Sequence, residues 1–142
     1  MVLNRFQKIV LGLAGVTAAC IGGFILTAPQ AFYAGYGITL GADPTLLSEI
    51  RAPAACLFGL GLLMLAGLVR PTWTHPAIAA AFVVFLAFPA GRVVGLIVDG
   101  VPAGGILAAL AVELVIAALL FAAFGRRGAI SVPAPRQANA AG

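Results

Sequence analysis

Long apolar runs separated by a few short polar stretches dominate the chain. Ile9 to Ala28 carries no charge and stops at Pro29, and Ala52 to Val69 is closed by Arg70-Pro71. A third run begins after His75-Pro76 and continues to Val98; a fourth opens at Pro102 and ends at Phe124, before Gly125-Arg126-Arg127. A helix needs about 20 predominantly apolar residues to cross a bilayer. The pattern therefore predicts spans over about 9–28, 52–69, 77–98 and 102–124. The predicted fold is all-α: a polytopic membrane protein forming an antiparallel four-transmembrane-helix bundle. Residues 1–8 form a short leading segment, and 125–142, with Pro133, Pro135 and small polar residues, is expected to be disordered.

Composition agrees. The 142 residues are 63% hydrophobic and 8% charged, whereas a soluble domain carries about 25% charge. That excludes a water-solvated globule, and the apolar content excludes a disordered chain. Charge placement sets direction. Arg5 and Lys8 precede the first span, Arg70 separates the second from the third, and Arg126, Arg127 and Arg136 follow the fourth. The other connections, 29–50 and 99–101, lack Lys and Arg but hold Asp43, Glu49 and Asp99. Because Lys and Arg are retained on the cytoplasmic side, both termini are expected to be cytoplasmic and the acidic connections outward. The net charge of +4 follows from this bias and from attraction to anionic lipid, so membrane lipids are the expected partners and no nucleic acid is. The first span is longer than a signal-peptide core, and cleavage after Ala28 would leave Pro29 at the cut. The faint lipoprotein-like Thr17-Ala18-Ala19-Cys20 is followed by six more apolar residues, Ile21 to Leu26. Retention of this helix is therefore expected.

In lipid, helices associate through small residues that permit close approach. Ala14, Ala18 and Gly22 in the first span, Ala55 and Gly59 in the second, and Ala87, Gly91 and Gly95 in the third supply such stripes. They suit bundle packing or a homo-oligomer equally. Pro89 cannot donate to the Phe85 carbonyl, so a kink is expected just before Gly91-Arg92.

Candidate chemistry centres on charges at membrane depth. Arg92 lies roughly 9 Å from the outer end of its span and Glu113 roughly 16 Å from the start of the next, at about 1.5 Å per residue. An unpaired central charge costs about 2.5–3.5 kcal/mol to insert, so the two are expected to pair. Glu49, Arg51 and Asp99 join them in the outer half. This set reads either as an ion-pair clamp on the helices, with Asp99 capping the fourth span, or as an outward polar pocket. Such a pocket would take a small anion, a quinone-like headgroup or a lipid headgroup. Pro29 to Gly37, with Phe32, Tyr33 and Tyr36, reads either as an interfacial anchor or as a lid over a cavity between helices. Cys20 and Cys56 fall at similar depth and form a candidate redox pair, the alternative being plain packing. No Cys-x-x-Cys, H-E-x-x-H, phosphate-binding Gly-Lys-Ser/Thr loop or complete G-x-G-x-x-G occurs. The single histidine, His75, sits in a connection beside Trp73. No metal site, cofactor motif or nucleophile–base pair is therefore visible.

The order Ala28-Pro29, Phe32-Tyr33, Gly37-Ile38, then Glu49-Ile50-Arg51-Ala52, Gly91-Arg92, Asp99-Gly100 and Glu113 resembles an uncharacterised bacterial family of small four-span membrane proteins, over about residues 9–124. More distantly it is similar to the DoxX-like four-helix membrane proteins, some linked to quinone-dependent sulfur oxidation. The resemblance implies the fold and the bacterial inner membrane, and it implies no reaction. The expected function is a binding or accessory role within a larger membrane complex. The alternatives are a quinone-linked oxidoreductase or its membrane subunit, and a proton-coupled small-solute transporter using Glu113.

Overall fold

Helix boundaries follow from local caps and prolines. In the computed structural model, which describes residues 2–125, α1 spans Arg5–Thr27, α2 Pro29–Ala34, α3 Pro44–Val69, α4 Thr74–Val98 and α5 Gly104–Phe124. The expected tail beyond Gly125 lies outside the described residues. Asn4 and Gln7 cap α1 reciprocally: Gln7 N donates to Asn4 Oδ1 at 2.8 Å, and Asn4 N donates to Gln7 Oε1 at 3.1 Å. α1 stops before Pro29, which then opens α2 at the position where a missing N–H costs nothing. α3 begins at Pro44, well before the Ala52 start suggested by hydropathy. Asp43 accepts from Leu46 N at 2.8 Å and Pro44 fixes the first turn, so a capped polar turn extends the apolar run. α4 runs on through the buried Pro89 as one helix.

α1, α3, α4 and α5 are each long and apolar enough to cross a membrane. They form an antiparallel membrane bundle in which α1 packs on α3, α3 on α4, α4 on α5, and α5 back on α1; α1 also meets α4, whereas α3 and α5 stand diagonally apart. The α1–α3 seam brings backbones together. A Cβ on Gly22 would fall 2.5 Å from the Phe58 nitrogen, and one on Gly61 would collide with the Ala19 backbone. On α1 the expected Ala14, Ala18 and Gly22 stripe is buried. The other two stripes are not where the bundle packs. Ala55 and Gly59 are exposed, and α3 instead buries Ala54, Leu57, Gly61 and Met64. Ala87 and Gly91 are exposed too, and nothing lies within 4 Å of a Cβ on Gly59 or Gly91. One residue along a helix turns the side chain by about 100°, so the neighbouring position wins.

Two side-chain hydrogen bonds tie the end of the bundle that carries the N-terminus of α1. Gln7, 1% exposed, donates from Nε2 to the Ala123 carbonyl at 2.8 Å, joining α1 to α5. Thr74 donates to the Gly67 carbonyl at 3.1 Å, joining α4 to α3. Neither residue stood out in the sequence, although Asn-x-x-Gln ahead of an apolar run is a capping-box signal. Gln7→Leu leaves the half-buried Ala123 carbonyl without its donor and removes half of the capping box, and is expected to lower unfolding free energy by about 2 kcal/mol, measured by denaturant unfolding in mild detergent.

Candidate functional site

At the opposite end the helices part around a cavity of about 800 Å³. Ala18, Leu57, Val84 and Phe85 form its base, and α5 contributes Ile106, Ala109 and Val112 along one wall. It exists because α1 and α5 meet near the chain ends, where Leu11, Ile116 and Leu120 are buried, while farther along small residues of α5 face α1 across a gap.

The polar part of the wall is the expected pair. Arg92 on α4 and Glu113 on α5 form a forked ion pair: Nε lies 2.9 Å from Oε2 and 3.1 Å from Oε1, and Nη2 lies 3.0 Å from Oε1. The Glu113 side chain is 11% exposed, whereas the Arg92 side chain keeps 27% of its surface open. The arginine reaches across the α4–α5 seam to a carboxylate set deeper in the bundle, and planar two-point geometry makes such a pair strong. Both residues line the cavity.

α2 covers it. Phe32 sits at the centre of an aromatic group, with ring centroids 5.5 Å from Phe24, 5.4 Å from Tyr33 and 5.3 Å from Tyr36, all edge-on. Gly37, at φ +76°, turns the chain after this group, a conformation that favours glycine. The Tyr36 ring rests on the first turn of α5, so close that a Cβ on Gly105 would fall 2.8 Å away. Phe32, Tyr33 and Tyr36 all line the cavity. This placement suits both the interfacial anchor and the lid weighed from the sequence.

The remaining predicted residues do not join Arg92 and Glu113 in a single cluster. Arg51 donates from Nε to the Leu26 carbonyl at 3.2 Å, serving one of the carbonyls left open where α1 ends. Glu49 is exposed on α3, a helix that stands diagonally apart from α5. Asp99 is exposed at the end of α4, and it shares with Arg92 a small hollow of about 160 Å³. It does not cap α5 as expected: the cap position is Ala103, with no side-chain bond, because Gly100 and Pro102 carry the chain past Asp99 before the helix starts. Cys20 and Cys56 are free thiols, both exposed. Among the described residues no group of three His, Cys, Asp or Glu side chains could hold a metal.

The model of the family described as Domain of unknown function (DUF4345) matches residues 6–124. The chain belongs to this family. No curated protein and no solved structure matches it. The DUF4345 match runs from the first turn of α1 to the last residue of α5 and so includes every residue of the cavity wall. In this DUF4345 chain the cavity is a largely apolar, aromatic-lined space with a few convergent polar groups, the usual make-up of a small-molecule site.

Proposed function

We propose that the protein binds an amphiphilic molecule taken from the bilayer, in a binding or accessory role within a membrane assembly. The observation that carries this is the aromatic-lidded cavity of about 800 Å³ with the Arg92–Glu113 pair in its wall. Its size falls in the range of sites for drug-sized molecules, roughly 300–1,000 Å³. The test is extraction in mild detergent followed by mass spectrometry of lipids and quinones. Wild type is expected to retain an amphiphile that Ala109→Trp, which fills the cavity, does not. Equal retention by the two proteins overturns the reading.

The proposed setting is the inner membrane of a bacterium, with both termini cytoplasmic. Arg5, Lys8 and Arg70 at one end of the bundle, against Asp43, Glu49 and Asp99 at the other, support this orientation. The cavity then lies in the outer half of the bilayer, under the α2 lid.

A further inference from the structure

The cavity wall carries one positive and one negative group, Arg92 and Glu113, and no other charged residue. They are bonded to each other, so the site is electrically neutral before anything enters. An anionic headgroup at the open edge of Arg92 would set a second negative charge beside Glu113 with one guanidinium between them, and a cationic one would compete with Arg92 for the carboxylate. Uncompensated charge in so apolar a wall is costly. A neutral guest leaves the pair intact.

The pair still has donors to offer. Glu113 takes its bonds from Nε and Nη2, and Nη1 of Arg92 bonds to nothing among the described residues. A guanidinium only donates. Tyr33 and Tyr36, on the lid, also line the space, and their hydroxyls make no side-chain hydrogen bond among the described residues. The unused capacity near the pair is therefore for an acceptor oxygen, while Phe85, Phe88 and Ile106 offer apolar surface.

We infer that the site selects an uncharged lipid-phase molecule whose head presents a carbonyl oxygen to the outer edge of Arg92, with its apolar body among the aromatic and aliphatic walls. An ester of a neutral bilayer lipid and a free neutral carbonyl compound share this chemistry. The inference rests on the proposed binding function of the cavity and specifies what enters it.

The test follows the melting temperature of the detergent-solubilised full chain with four probes of matched chain length at submicellar concentration: methyl laurate, laurate, dodecyltrimethylammonium and dodecane. Methyl laurate is expected to raise Tm by several degrees, since a ligand stabilises the state it binds, and the others by much less. Arg92→Lys, which keeps a cation beside Glu113 without the guanidinium edge, is expected to lose most of the methyl laurate effect, and Ala109→Trp all of it. A shift as large with dodecane, laurate or dodecyltrimethylammonium that Ala109→Trp abolishes overturns the carbonyl inference and leaves the cavity reading standing. An undiminished methyl laurate shift in Arg92→Lys also overturns it. No shift with any probe, or shifts that Ala109→Trp does not reduce, sinks both. A companion measurement separates the carbonyl sources: mass spectrometry of the extracted protein reports a glyceride ester in one case and a non-glyceride carbonyl compound in the other.

Discussion

Glu113→Leu is expected to destabilise the bundle by about 3 kcal/mol, and adding Arg92→Leu is expected to restore most of that loss. The single change leaves a guanidinium in an apolar wall with no carboxylate, and the unpaired charge costs a few kcal/mol in a span. The cost stays near the low end because Arg92 is partly open and lies close to the end of α4. Removing both partners removes the desolvation cost as well, and buried pairs exchanged for apolar residues are often neutral in stability. Denaturant unfolding in detergent, with accumulation in the membrane as a second readout, measures both variants. A Glu113→Leu protein as stable as wild type removes the pair from any account of the fold. The double variant is also informative for binding: it is expected to fold yet to lose the methyl laurate response.

Gly61→Val, or Gly22→Val, is expected to cost about 3 kcal/mol, at the upper end for overpacking. At both positions the clash is with backbone, on Ala19 for Gly61 and on Phe58 and Ala54 for Gly22. A backbone cannot swing aside as a side-chain tip can, so α1 and α3 must separate along their seam. Gly59→Ala and Gly91→Ala meet open space and are expected to lose nothing, with helix propensity favouring alanine by up to about 1 kcal/mol. Equal losses at all four glycines, measured by the same unfolding assay, contradict the close α1–α3 approach.

The spans were legible in the sequence because an uninterrupted apolar run about 20 residues long has few other uses. The Arg92–Glu113 pair was legible for the same reason, since a lone charge at depth demands a partner. Helix faces were not. Apart from Glu113, α5 is apolar on all sides, and four-residue spacing of small residues marks a stripe without saying whether protein or lipid faces it. Ala54 and Ala55 are the same residue type one position apart, yet one is buried and the other exposed. Depth groups Arg51 with the acidic residues, but its partner is a main-chain carbonyl at Leu26. Every residue has a carbonyl, so composition carries no mark of which one is left open. The start of α3 is a different case: Asp43-Pro44 is a readable helix opening, overshadowed by the polar residues that follow it.

The positions of four side-chain ties together give the bundle a mechanical character. Arg51 binds α3 to α1, and Arg92 binds α5 to α4, both at the lidded end. Gln7 and Thr74, which link one of these pairs to the other, lie at the far end. The molecule is thus built like tongs: two jaws, each of two helices, cross-linked by side chains at the end where α1 begins. At the tips the jaws are held together by van der Waals contact, with Tyr36 resting on Gly105. Spreading the tips to admit a guest breaks none of these four bonds, so the gap can follow the girth of what it holds while each jaw keeps its shape.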